Sequence, residues 1–145
     1  MSALQSLSRD HHRALLVAQK LRRADHKTAY EARSAFLTFW RDEGQHHFRC
    51  EETILLPAYA HRGDPSHPLV LRVLAEHLEI GERAAVLSEV SEGSVDVLHG
   101  LGELLAAHVR IEERELFPLI ETALSGAELD LLASQLAAAE VGCRR

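Results

Sequence analysis

Cysteine, proline and glycine are all scarce in this chain. Its two cysteines, Cys50 and Cys143, lie far apart, one mid-chain and one in the C-terminal tail. That excludes a disulfide framework and makes a reducing cytoplasm the expected compartment. Four prolines and eight glycines are confined to a few break points, and no segment between them alternates like a strand. No apolar run approaches the roughly 20 residues of a membrane span. The first ten residues lack a basic stretch followed by an apolar one, so no secretion signal is expected. A basic stripe is also missing, and the net charge is −6, which argues against nucleic acid or an anionic membrane as partner. Histidine is the exception to this plainness, with ten residues, including the adjacent pairs His11-His12 and His46-His47.

The mean hydropathy of −0.11 and 145 residues fit one globular domain, 1–145. Apolar residues recur at helical spacing almost throughout. Ser2 to Gln5 has the form of a capping box and opens a first helix, with Leu4, Leu7, His11, Ala14, Leu15, Ala18 and Leu21 on its inner face. Thr28 to Glu31 is a second capping box. It opens a long helix through Phe36, Trp40, Glu43, His47, Glu51 and Ile54 that should end or kink near Pro57. Arg62 to Pro68 breaks the chain. Ser66 is the expected cap of a third helix facing inward through Val70, Val73, Leu74, His77, Gly81 and Ala84. After a turn at Glu92-Gly93-Ser94, Ser94 caps a fourth helix with Val97, Leu101, Leu104, Leu105, His108, Glu112 and Leu119 inward. Ser125 to Glu128 opens a short fifth helix. The expected fold is all-α: an up-down-up-down antiparallel four-helix bundle over about 3–122, with a short C-terminal helix over about 126–140 across one end.

One eleven-residue stretch occurs twice. His47-Phe-Arg-Cys-Glu51-Glu52-Thr-Ile-Leu-Leu-Pro57 returns as His108-Val-Arg-Ile-Glu112-Glu113-Arg-Glu-Leu-Phe-Pro118, at a constant offset (108 − 47 = 61 = 118 − 57). In each copy a histidine precedes a glutamate by four positions, so both side chains leave the same helix face one turn apart. Each inward stripe is thus interrupted by groups that resist apolar burial: His11, His47 with Glu51, His77, and His108 with Glu112. Six such groups in matched halves are explained by a shared cation. Each metal would take two histidines, and the two carboxylates would bridge. His47 lies about 28 Å and His108 about 21 Å along their helices, which agrees to about a turn. Mixed imidazole and carboxylate ligation suits Fe, Mn, Zn or Co and disfavours a cysteine-based zinc site. The carboxylate-rich Glu-x-x-His plan fits poorly, since only Glu43 and His46 have that spacing.

Two positions have competitors. His11 shares its face with Leu7, Ala14, Leu15 and Ala18, whereas the face of His12 continues to Ser8 and Gln19, so His11 is preferred. Glu113 competes with Glu112, which is preferred by symmetry with Glu51. Glu52 and Glu113 are read as outer-sphere or surface groups, with Arg49 and Arg110 as their solvated partners. Glu43 is read as solvated or as orienting a histidine. His26, His61, His67 and His99 are assigned to the surface. Cys50 is read as a small core residue, and Trp40, Phe36 and Phe39 as core around the bundle end.

The combination resembles the hemerythrin-like family, the HHE cation-binding domain. The motifs that carry the resemblance are Asp10-His11, His47 to Pro57, Glu76-His77 and His108 to Pro118. The resemblance implies a four-helix bundle holding two iron ions in an oxo- or hydroxo-bridged di-iron centre. His11, His47, His77 and His108 would be terminal ligands, and Glu51 and Glu112 bridging ones. It also implies binding or sensing of dioxygen or a similar small diatomic ligand. The alternatives within the family are a redox enzyme acting on peroxide or nitric oxide, and iron storage or delivery. A binding protein is favoured over an enzyme, and the redox or signalling partner is unknown. Oxygen carriers of the family place two histidines one turn apart on the third helix; here Val73 and Gly81 stand at those spacings of His77. The missing seventh ligand implies a more open or more water-ligated iron, with space beside Gly81.

Overall fold

The computed structural model describes residues 3–90 and 94–143, with side chains described as far as residue 140. Every regular element among them is helical. We number them α1 (Gln5–Arg22), α2 (29–60), α3 (Pro68–Glu89), α4 (95–123) and α5 (Gly126–Cys143). No helix among the described residues is long and apolar enough to cross a membrane.

Helix starts follow local hydrogen bonding, not always at the residues the sequence suggests. Ser94 caps α4 as expected, its Oγ accepting from Val97 N at 3.1 Å. The Ser125–Glu128 box also forms, with reciprocal bonds of 3.2 and 2.9 Å. Thr28 does not cap α2. Its hydroxyl donates to Asp25, whose carboxylate also accepts from the backbone of Lys27 and Thr28. Asp25 thus builds the turn that Thr28 was expected to close. Nor does Ser66 cap α3; His67 does, through Nδ1 accepting from Leu69 N at 3.0 Å, with Pro68 occupying the first helical position. Ser2 and Glu92-Gly93 lie outside the described residues.

Helices α2 and α4 are interrupted by widened π turns, at Trp40–Gly44 and Glu51–Leu55 in α2 and at Glu112–Leu116 in α4. The last two begin at the repeated glutamates and end just before Pro57 and Pro118. Leu56 N–H reaches back five residues to the Glu51 carbonyl, and Phe117 N–H to that of Glu112. The stop or kink expected near Pro57 is therefore replaced by a turn that absorbs the proline and lets the helix continue. Each π turn inserts one extra residue and rotates the rest of its helix. Leu55 is fully buried where Ile54 was expected, and Leu116 and Ile120 are buried where Leu119 was expected. Leu15, Leu74 and Val97, also expected inside, are exposed, and Ile80 fills the core next to half-buried Gly81.

The core divides into two apolar clusters. One gathers Ala14, Ala18, Leu21, Phe36, Phe39, Ile80, Leu101 and Leu105. The other gathers Leu4, Leu7, Leu55, Val73, Leu116 and Ile120 and is closed off by Leu132 and Leu136 of α5. His11, His77 and Glu112 fall in the sequence gaps between these clusters, and His47, Glu51 and His108 stand directly beside Phe48, Cys50 and Val109, the cluster residues that border such gaps. The polar centre is the seam between two dry layers.

Helices α1 and α4 approach each other closely at Gly102. A Cβ there would stand 2.8 Å from the Ala18 carbonyl oxygen and 2.9 Å from Leu21 Cβ. Alanine would gain about 1 kcal/mol of helix propensity. The obstructing carbonyl belongs to the backbone and cannot rotate away, so overpacking of about 1–3 kcal/mol decides the sign. Gly102→Ala should therefore lower the denaturant midpoint at unchanged slope. A higher midpoint would show that α1 and α4 part without cost.

Candidate metal centre

Six polar side chains meet in the seam, contributed by α1 (His11), α2 (His47, Glu51), α3 (His77) and α4 (His108, Glu112). Glu51 and Glu112 are 0% exposed and the four histidines no more than 6%. Their functional atoms fall into two groups that share both glutamates: His11, His47, Glu51 and Glu112; and His77, His108, Glu51 and Glu112. Each carboxylate divides its oxygens between the groups. Glu51 Oε2 lies 3.2 Å from His47 Nε2, and Oε1 lies 2.9 Å from His77 Nε2. Glu112 Oε1 lies 2.9 Å from His11 Nε2, and Oε2 lies 3.4 Å from His108 Nε2.

These contacts are close, yet most do not have hydrogen-bond geometry. Both oxygens of Glu51, Oε2 of Glu112 and the Nε2 atoms of His47, His77 and His108 have no hydrogen-bond partner. Fully buried carboxylate oxygens without donors are costly. Ligand atoms about 2.1 Å from a first-row cation sit roughly 3–4 Å from one another, which is the spacing found here. The donor set is two imidazoles and two carboxylates per group, without a cysteine, and fits a divalent first-row metal.

The outward nitrogens explain how the rings are held. His47 Nδ1 donates to Asp10 Oδ2 at 2.9 Å, His77 Nδ1 to Glu52 Oε2 at 2.7 Å, and His108 Nδ1 to Glu76 Oε1 at 2.7 Å. His11 Nδ1 makes a longer ion-pair contact of 3.4 Å with Glu113 Oε1, while Ser8 Oγ donates to the other oxygen of Glu113 at 3.0 Å. An ionised carboxylate can only accept, so in His47, His77 and His108 the proton is fixed on Nδ1 and the Nε2 lone pair of the neutral ring points into the seam. His11 is held the other way, its Nε2 donating to Glu112 Oε1 at 2.9 Å while Nδ1 makes no hydrogen bond. Glu52 and Glu113 are thus engaged by histidines, whereas Arg49 and Arg110, expected as their partners, stand exposed.

The structure brings His11, His47, Glu51, His77, His108 and Glu112 together and leaves their competitors outside. His12 is exposed, Glu113 takes its outer role, and His46 points to Cys50 Sγ at 3.3 Å. His99, assigned to the surface, instead bonds the Ala24 carbonyl at 2.7 Å, and His67 is the helix cap of α3. Two aromatic supports went unread in the sequence. Phe48 stacks on His77 with ring centroids 3.9 Å apart, and Phe117 lies parallel to His11 at 5.4 Å. Their signal was position: each directly follows a residue whose side chain or carbonyl belongs to the centre or its π turn. The space expected beside Gly81 faces the Trp40 ring, 3.7 Å from where a Cβ would stand.

Burial opposes charge on every one of these imidazoles, and the carboxylates outweigh it. His77, between Glu112 and Glu51, is raised to about 10. His108, beside Glu112 and Glu76, is raised to about 9. His47 is held well above its ordinary value by Glu51 and Asp10, and His11 is raised by Glu112 and Glu113. Burial alone would raise Glu112, but His108, His11 and His47 hold it well below the ordinary carboxylate range. In the metal-free chain protons therefore do the work of a cation, and a metal must displace them. For groups raised on folding, the stabilisation is complete below the unfolded value of about 6.5 and is lost as pH climbs through the folded ones. Melting of the chelator-treated protein should accordingly shift to lower temperature between about pH 6.5 and pH 10, while metal affinity rises over the same interval. A melting temperature flat across that range would contradict the raised values.

No curated protein and no solved structure matches the chain. The sequence profile described as the hemerythrin HHE cation binding domain matches residues 2–120. That span contains all six residues of the buried histidine and glutamate cluster. The chain belongs to the hemerythrin HHE cation-binding domain family and is a metal-binding protein.

Proposed function

We propose that this chain is a non-haem di-iron protein that binds dioxygen or a similar small diatomic molecule. The observation that carries the reading is a cavity of about 10 Å³ against the centre, touched by His11, His47 and His108. It holds about one water-sized molecule. Its remaining wall is mostly apolar, with Ala14, Phe39, Phe48, Leu105 and Val109. Such a small, mostly apolar space favours a ligand of a few atoms over larger substrates. His11, His47, His77 and His108 would hold the two irons terminally, and Glu51 and Glu112 would bridge them. A bound ferrous pair would supply the electrons and the coordination position that a diatomic ligand needs. The protein's own part is to fix that position: Asp10, Glu52, Glu76 and Glu113 aim the imidazoles, and Phe48 and Phe117 hold two of the rings in place. The absence of a second histidine one turn from His77 leaves the ligand count at six, which supports an open coordination position. The reading includes an up-down-up-down course for α1 to α4. It is supported by the core: α1 and α3 run from the Leu4 cluster to the Phe36 cluster, and α2 and α4 run back.

The test of function is the optical spectrum of anaerobically reduced, iron-loaded protein before and after oxygen is admitted, and again after its removal. Charge-transfer bands that appear and then reverse are expected. Irreversible conversion to a ferric spectrum would favour redox chemistry on peroxide or nitric oxide instead.

The ligand assignment has its own test. A bridge touches both ions, so Glu51→Ala or Glu112→Ala should lose most of the bound iron, whereas His12→Ala should keep it. Two irons per chain in either glutamate variant, measured by elemental analysis, would remove that residue from the bridge.

A further inference from the structure

A centre whose ligands are almost wholly buried must be filled through some part of its wall, and one part is thin. Between α1 and α2 lies an open surface groove of about 860 Å³. It shares Asp10, Phe39 and Glu43 with the small cavity that touches His11, His47 and His108. These three side chains line both the groove and the cavity beside the ligands. Two of them are carboxylates on facing helices. Asp10 is committed to His47 Nδ1. Glu43 is not committed to the centre: it is drawn outward by the exposed guanidinium of Arg13, with Nη1 2.8 Å from Oε1. On the inner side, His47 Nε2 is buried and lacks a hydrogen-bond partner, and its side chain is 7% exposed.

Glu43 also sits in the π turn Trp40–Gly44, the one widened turn of α2 that contains no candidate ligand. Widened turns of this kind concentrate at functional sites. Gly44 keeps the wall close. A Cβ there would stand 2.9 Å from Trp40 Cε3 and 3.0 Å from Phe39 Cε2. Asp42, His46 and Glu140 continue the groove outward from Glu43, against the cations Arg13 and Lys20. Carboxylate and imidazole groups, hard to borderline donors, are those a hydrated divalent cation exchanges water for most readily.

We propose that the α1–α2 groove is the route by which ferrous iron reaches the centre, and that Glu43 is a relay carboxylate that leaves Arg13 to pass the ion to His47 and His11. This rests on the di-iron reading above. Glu43 is a transient ligand during loading and not part of the final set. The Arg13–Glu43 ion pair acts as the latch: it neutralises the relay until a cation competes for it.

The experiment is anaerobic uptake of ferrous iron by the metal-stripped chain, with unbound ion quenched by a ferrous chelator at timed intervals. Glu43→Gln should slow uptake roughly tenfold, the lower end of electrostatic steering effects, and still end at two irons per chain. Arg13→Gln should load faster than the parent. Glu103→Gln, which removes an exposed carboxylate paired with Arg22 outside the groove, should load at the parent rate. Parent-like kinetics in Glu43→Gln, or slower loading in Arg13→Gln, would overturn the relay. So would an equal slowing in Glu103→Gln, which would make the effect one of net charge. A lowered final stoichiometry in Glu43→Gln would make it a resident ligand and also overturn the relay. Failure of the parent itself to take up iron would overturn the di-iron reading, a result distinct from all of these.

Discussion

The constraint on which the rest of this structure depends is the burial of two carboxylates, Glu51 and Glu112, at zero exposure. Glu51 accepts no hydrogen bond on either oxygen. Burying an ionised carboxylate costs several kcal/mol even after relaxation, so something positive must stand between these two. The four imidazoles can supply that charge as bound protons, or stand aside and share a cation. The same geometry serves either state because every Nε2 points inward.

Holding six groups at that point is a problem of helix register, and the outer carboxylates solve it in a closed circuit. Asp10 on α1 braces His47 on α2, and Glu52 on α2 braces His77 on α3. Glu76 on α3 braces His108 on α4, and Glu113 on α4 contacts His11 on α1. Every brace is the chain neighbour of a ligand. Successive residues on a helix are about 100° apart, so the neighbour of an inward ligand lies on the flank and faces the next helix. Sliding or turning one helix would therefore disturb two links of the circuit. The bundle's register and the ligand geometry are one property.

Much of this was legible in the sequence because it rests on spacing. The His-x-x-x-Glu repeats identify the groups that gather, and a shared buried site follows from placing them on helix faces. The lone residues His11 and His77 follow from their places on apolar stripes. What the spacing could not carry was any departure from 3.6 residues per turn. The π turns before Pro57 and Pro118 add a residue each, so Ile54 and Leu119 yield their expected places to Leu55 and Ile120. The capping errors have another cause. Thr28 and Ser66 are chemically fit to cap, but Asp25 engages the first locally, and Pro68 fixes the chain so that His67 takes the place of the second. The outer braces were half visible. Their residues lie inside the recognised motifs, but their partners are on other helices, which no local pattern reveals.

The repeat also shows where the two halves differ. Adding the offset of 61 to Glu43 and Gly44 gives positions 104 and 105, which are Leu104 and Leu105. The corresponding stretch of α4 is regular helix, part of Val95–Ile111. A carboxylate and a widened turn on one side are thus matched by two leucines and a regular turn on the other. Leu105 closes the small cavity from across the bundle, and Trp40, from the same widened turn as Glu43, stands against Gly81. The ligand set is close to two-fold, but its surroundings are not. A molecule that enters by way of Glu43 reaches a cavity touching both histidines of one half, His11 and His47, but only His108 of the other, so two chemically similar halves are made unequal by access and not by their ligands.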